Sequence, residues 1–238
     1  MGQKVNPTAF RVGIMEDWKS RWYASKKEFA NLLVEDKKIR DYIKKCKDKE
    51  DRPMYPAISK ILIERTRDEV KVTIYTARQG IILGTNGKKT EELQNALHAM
   101  TERRINIQVI GVDNPAISAQ LVAEDIGEQL IKRAGFRRTM KKAIEQAMEG
   151  GAKGIKIQLS GRLGGAEMAR CEKQAAGSIP LSTLRAKVDY GFTEAKIAQG
   201  HIGIQVWINQ GEYSEDDNKG QNAETSNTSN NPKRAYTR

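Results

Sequence analysis

The sequence predicts an α+β fold built as two successive units, followed by a disordered C-terminal tail. Three observations predict it. Apolar residues recur at steps of three and four in some segments and at alternate positions in others, so helices and strands are interspersed along the chain. A Gly-Val-Asp-Asn-Pro stretch over 111–115 interrupts that rhythm and divides it into halves. From Tyr213 onward Glu, Asp, Asn, Ser, Thr and Gly displace apolar residues, leaving too little hydrophobic surface to offset chain entropy.

An N-terminal arm over 1–17 precedes the first unit, 18–110. Within that unit, residues 26–49 place Phe29, Leu32, Leu33, Ile39, Tyr42, Ile43 and Cys46 on one helical face. After Pro53 and Pro56 the period changes to two. Ile61 and Ile63 mark one strand; past a polar corner at Arg67-Asp68-Glu69, Val70, Val72 and Ile74 mark its partner. A glycine-punctuated turn over 80–87 leads into a helix over 88–103 with Leu93, Leu97 and Met100 inward. A third strand follows at Ile105, Ile107 and Val109, which predicts a three-stranded sheet.

The second unit, 111–212, begins with a helix marked by Val122, Ile126 and Leu130. Gly135 ends it, and a second helix runs from Phe136 to a stop at Gly150-Gly151. Strand alternation returns at Ile155, Ile157 and Leu159, at Leu184, Ala186 and Val188, and at Ile202, Ile204, Val206 and Ile208. The expected form is an α/β domain of two helices on a four-stranded sheet. The tail covers 213–238.

The 238 residues carry 41 Lys and Arg against 30 Asp and Glu, a net charge of +11. Residues 1–210 alone reach +12, so the basic excess lies in the folded part. Such a balance calls for a phosphate-rich partner. The cations are spread over several elements instead of one amphipathic helix, which favours nucleic acid over a membrane surface. No apolar run is long enough to span a bilayer, and the N-terminus passes from Met1 to Asn6-Pro7 without an apolar signal region, so a cytoplasmic protein is expected. Cys46 and Cys171 stand alone, and His98 and His201 lack a nucleophile partner. With no nucleotide-phosphate loop and no nucleophile elbow, the reading is of no enzyme, no metal site and no cofactor.

Four motifs point toward RNA. Phe136-Arg137-Arg138-Thr139-Met140-Lys141-Lys142 sets four cations against an apolar stripe, so one face packs and the other can follow phosphates. Gly84-Thr85-Asn86-Gly87, ahead of Lys88-Lys89, matches the Gly-x-x-Gly loop of KH domains, in which glycines let the backbone approach a sugar-phosphate chain. Gly161-Arg162-Leu163-Gly164-Gly165 reads either as a phosphate cradle or as a corner needing open backbone angles. Trp18-Lys19-Ser20-Arg21-Trp22-Tyr23 interleaves aromatics and cations, which suits either base stacking or a packed arm.

These motifs, with Met1-Gly2-Gln3-Lys4-Val5-Asn6-Pro7, Phe10-Arg11-Val12-Gly13, Gly154-Ile155-Lys156-Ile157, Ser160 to Arg170, Thr183-Leu184-Arg185-Ala186 and Gly203-Ile204-Gln205-Val206-Trp207-Ile208, resemble the bacterial form of the small-subunit ribosomal protein three family over 1 to about 212. The resemblance implies a type II KH domain and a ribosomal location in the cytoplasm. It implies contact with small-subunit ribosomal RNA in the head, beside small-subunit proteins ten and fourteen. Where messenger RNA enters, it implies proteins four and five as neighbours, with Arg137, Arg138 and Lys141 gripping the message and Lys142 continuing that face. RNA contact is expected at Gly84, Thr85, Asn86, Gly87, Lys88 and Lys89, with the strand that loop faces left open, and ribosomal RNA at Arg162, Arg170 and Arg185. Thr85-Asn86 replaces a pair usually basic in bacterial members, which shifts the grip to Lys88 and Lys89, and Cys171-Glu172-Lys173 stands where a Trp-containing stretch is common. A free-standing regulatory RNA-binding protein using the same KH module is the alternative.

Overall fold

The computed structural model describes residues 4–44, 56–66, 69–84 and 87–213. Cys46, the Arg67-Asp68 corner, Thr85-Asn86 and the tail past Tyr213 lie outside the described residues. In chain order the elements are α1 (Pro7–Arg11), β1 (Ser20–Arg21), α2 (Lys26–Lys44), β2 (Ile58–Arg65), β3 (Glu69–Thr76), α3 (Gln79–Leu83), α4 (Lys88–Thr101) and β4 (Arg104–Gly111). Then follow α5 (Ala119–Ile131), α6 (Phe136–Glu149), β5 (Gly154–Gly161), β6 (Arg170–Gly177), β7 (Ala186–Ile197) and β8 (Gly200–Glu212).

The first sheet has four strands, not three, in the order β1-β2-β3-β4. The unforeseen strand is β1, whose two residues pair in parallel with Ile63 and Glu64. So short a segment has no periodicity to read; a buried carboxylate holds it. Asp36, on the inner face of α2, accepts from Ser20 Oγ at 3.1 Å, Trp22 Nε1 at 2.8 Å and Arg65 Nε at 2.7 Å. Arg40 adds bonds to the carbonyls of Ile61 (2.7 Å) and Lys19 (3.0 Å). One helix is thereby fastened to two strands by charge-assisted bonds.

The inward stripe of α2 is narrower than its spacing predicts. Leu32, Asp36, Ile39 and Ile43 are buried, whereas Phe29, Leu33 and Tyr42 are exposed. Likewise α4 packs through Leu93 and Leu97 but leaves Met100 exposed, and Gly80 lies in the short helix α3 instead of a turn. A register shift between Ile58 and Lys60 explains why Ile58, Ile61 and Ile63 are all buried despite their uneven spacing, since a bulge returns the strand to the same face.

The second sheet is wholly antiparallel in the order β6-β5-β8-β7, with α5 and α6 packed on it. Its core joins Ile126, Leu130, Met140, Ala143 and Ala147 of the helices to Ile155, Ile157, Ile204, Val206 and Ile208 of the strands. Three expectations are corrected here. Leu184 lies in the turn before β7, β7 runs on to Ile197, and β6 is a strand the sequence pattern did not mark. At Gly191 any Cβ would run into the backbone of Ala119 and Gln120, so glycine is what lets β7 touch the start of α5. Asp189 then accepts from the Ala119 amide at 2.7 Å, satisfying one free donor of that helix end.

The N-terminal residues dock onto this second unit. Asn6 caps α1 by accepting from the amides of Thr8 and Ala9, and Pro7 fits its first position. Arg11 is fully buried. Its guanidinium donates to the carbonyls of Ala186 (2.7 Å), Thr183 (2.8 Å), Pro7 (3.0 Å), Pro180 (3.4 Å) and Leu181 (3.4 Å). Nearby the Tyr213 hydroxyl donates to Glu16 at 3.0 Å, so Tyr213 is fixed at the very position where the tail was expected to begin. Burial raises the Glu16 carboxyl above its usual range, partly offset by that hydroxyl, and burial followed by the Glu16 charge pushes the Tyr213 phenol up.

Arg11→Met keeps the bulk of the side chain but abandons these carbonyls. It is expected to cost about 3 kcal/mol or more in denaturant unfolding and to expose the arm to protease. A loss below about 1 kcal/mol would mean that the arm is held by other contacts.

Candidate nucleic-acid interface

Gly135 caps helix α6, and its carbonyl accepts from the Thr139 hydroxyl at 3.2 Å. Thr139, Met140, Ala143 and Ala147 are buried, while Met148 is exposed. That packing turns Arg137, Arg138, Lys141 and Lys142 to solvent. No acidic residue occupies the first turn, where the helix dipole would favour one; two arginines stand there instead. Arg137 with Lys141, and Arg138 with Lys142, are also like-charged neighbours at the i, i+4 spacing, each costing about 0.2–0.5 kcal/mol in a helix. The arrangement is electrostatically unfavourable until an anion lies on it.

Carboxylates offset little of this. The segment 136–144 holds none, but Glu145 comes within 3.9 Å of Lys141 and Glu172 within 3.9 Å of Arg137. With the two cationic side chains 78% and 74% exposed, such pairs contribute at most about 1 kcal/mol and are readily exchanged for phosphate. Arg138 and Lys142 have no acidic partner among the described residues. The guanidiniums of Arg137 and Arg170 lie 5.7 and 5.5 Å from the centre of the Phe136 ring, and Arg170 Nε is 3.5 Å from Glu172. The structure thus brings Arg170 of β6 to the head of α6, a neighbourhood no sequence signal marked. Phe136, half-buried at the start of the apolar stripe, serves both arginines as a ring surface.

In the first unit, α3 leads into the glycine loop. Gly84 has φ 65° and ψ −169°, and Gly87 has φ 77°, both in the region that glycine favours. A Cβ on Gly84 would also crowd the Lys89 side chain, at 2.6 Å from its Cγ. Gly87 caps α4, and Lys88 and Lys89 follow it as exposed residues at the helix N-terminus, where free amides and the dipole suit an anion. Thr85 and Asn86 lie outside the described residues. The Thr90 hydroxyl donates to the Ile82 carbonyl at 3.2 Å and ties α4 back to α3.

The remaining expected sites have different surroundings. Arg162 donates from Nε to the Ala166 carbonyl (2.9 Å) and from Nη1 to the Gln199 carbonyl (3.0 Å), so its guanidinium clasps the glycine corner to the β7–β8 turn. Gly161, Gly164 and Gly165 all have positive φ, as a corner requires. Arg185 is exposed just before β7. Trp22 packs on Phe29 at 5.3 Å, whereas Trp18 and Tyr23 are 62% and 97% exposed. Cys171 is exposed, and the His98 and His201 side chains lie at the surface. Among the described residues no three His, Cys, Asp or Glu side chains could hold a metal ion, and no helix is long and apolar enough to cross a membrane.

Comparison with known proteins accounts for both units. Residues 38–117 match the KH domain model, and residues 126–208 match the model of the ribosomal protein S3 C-terminal domain. A small ribosomal subunit protein uS3 of Rhodopirellula baltica is 62% identical over 238 residues, all of both chains. The chain belongs to the ribosomal protein S3 family. The uS3 proteins of Desulforudis audaxviator and Desulforamulus reducens are each 50% identical, over 89% of this chain and 94% and 93% of theirs. As a bacterial-type S3 with a KH domain, the chain is a structural, RNA-binding ribosomal protein and not an enzyme.

Gly87→Asp places a strained residue and a negative charge at the N-terminus of α4. It is expected to weaken binding of single-stranded RNA by about tenfold or more at low salt. Wild-type affinity in that variant would remove the loop from the RNA-binding surface.

Proposed function

We propose that α6 grips messenger RNA as it enters the small subunit and helps to open its secondary structure. Arg137, Arg138 and Lys141 are the principal contacts, and Lys142 extends them. Ribosomal RNA in the head is held by the glycine loop 84–87 with Lys88 and Lys89, and by Arg170 and Arg185, with Arg162 shaping the corner beside them. The neighbouring proteins in this reading are small-subunit proteins ten and fourteen in the head and four and five where the message enters. The cytoplasmic ribosome is its location, and no cofactor is required. Residues 18–110 act as the KH unit and 111–212 as the unit that presents α6.

One observation carries the messenger RNA assignment: α6 concentrates four solvent-facing cations at like-charge spacing, two of them in the first turn where the helix dipole also opposes them. A moving strand needs contacts to phosphate that carry no sequence preference, and long exposed cations on a rigid helix provide them. Rigidity comes from the core beneath, since Met140 and Ala147 are wholly buried.

Changing Arg137, Arg138 and Lys141 together to Ala removes exposed charge without touching that core, so folding is expected to change by under about 0.5 kcal/mol per site. Translation of a message with a stable hairpin downstream is expected to slow more than translation of an unstructured one. Equal slowing of both would contradict an unwinding role.

A further inference from the structure

Beside the head of α6 lies a cavity of about 360 Å³ that neither the KH loop nor the basic face uses. Leu130, Phe136, Ile197 and Ile202 supply apolar wall, Gly164 and Gly165 supply bare backbone, and Arg133 and Gln199 supply polar edges. None of its lining residues is acidic. The volume falls at the small end of ordinary ligand pockets, about 300–1,000 Å³, with room for one base and its sugar but not for a duplex.

The walls are held in place before any ligand arrives. Arg162 bonds the carbonyls of Ala166 and Gln199, which fixes the glycine corner against the β7–β8 turn on one side. On the other, the α5–α6 turn carries Arg133 at φ 62°, an unusual conformation for a side chain of that size and one that is retained where surroundings enforce it. Leu130 and Ile202 are themselves core residues, 4% and 2% exposed. The Phe136 ring, with Arg137 and Arg170 close to it, borders both the cavity and the basic face. Among the described residues the carboxylate paired with those two arginines is Glu172, at 3.9 and 3.5 Å.

We propose that this cavity takes one unpaired nucleobase of the RNA whose phosphates lie along α6. The proposal rests on the reading of α6 given above. An apolar slot with an aromatic wall, adjacent guanidiniums and an amide at its edge is what an extruded base requires: a surface to stack on, charge for its phosphate and a partner for its hydrogen-bonding edge. The absence of acid from the lining matches that occupant and disfavours a basic protein segment. A base seated here would anchor a strand that has just been separated from its complement.

The test uses the full chain and a short unstructured RNA carrying one fluorescent cytidine analogue, together with the same RNA made abasic at that position. The intact RNA is expected to bind about tenfold more tightly than the abasic one, the scale of a single stacked base, and its fluorescence is expected to change on binding. Ala134→Trp, which puts a ring at the cavity wall, and Phe136→Leu, which keeps the packing but removes the aromatic face, should each abolish the tenfold preference. If wild type binds both RNAs equally while the triple alanine variant of α6 binds both poorly, the cavity assignment falls and the reading of α6 stands. If the α6 variant binds as wild type does, that reading falls and takes the cavity assignment with it.

Discussion

The structure depends on a conflict inside α6 that its own core resolves. Alone, a helix with Arg137 and Arg138 in its first turn and like-charged pairs at i, i+4 would be opposed by its own dipole and by side-chain repulsion. In the protein, burial of Met140, Ala143 and Ala147 against the second sheet supplies the stabilisation, at roughly 25 cal/mol per Å² of apolar surface removed from water. The cations are consequently held on a rigid surface with their charge nearly unspent. A local rule broken on an otherwise consistent element is the pattern expected of a functional or strained site.

Elsewhere charge is handled in the opposite manner. Arg11 and Asp36 are buried, and each is surrounded by partners: carbonyls around the guanidinium, donors around the carboxylate. Both serve to fasten elements that have little hydrophobic surface of their own. A five-residue helix is joined to the turn before β7, and a two-residue strand is joined to α2. Burying a charge costs several kcal/mol unless it is fully bonded, so these contacts specify one geometry and tolerate few others. The contrast separates cations that build the fold from those left exposed to solvent on α6.

How much of this was legible follows from what each residue does. The strands of both cores were readable because Ile61, Val70, Val72, Ile74, Ile155, Ile157 and Ile204 bury one face and follow the pleat. Strand β6 was not, because it lies at the sheet edge and its residues Arg-Cys-Glu-Lys-Gln-Ala-Ala-Gly are exposed or only half-buried, so no hydrophobic alternation was needed. The outward set of α6 was legible from the spacing of its core residues. The fastening roles of Arg11 and Arg162 were not, since besides one local carbonyl each, Pro7 and Ala166, they bond to carbonyls from distant parts of the chain, Ala186 and Thr183 for Arg11 and Gln199 for Arg162. Their partners are chosen by topology, and no residue type announces a carbonyl.

The most direct measurement is the salt dependence of single-stranded RNA binding, compared between the wild type and a chain with Arg137, Arg138, Lys141 and Lys142 all changed to Ala. Each phosphate contact on a single strand adds about 0.7 to the slope of log affinity against log salt. The account predicts that the slope falls by about 2–3 while far-ultraviolet circular dichroism stays unchanged, as these side chains lie outside the core. An unchanged slope would show that the exposed cations of α6 meet no phosphate, and would contradict the account.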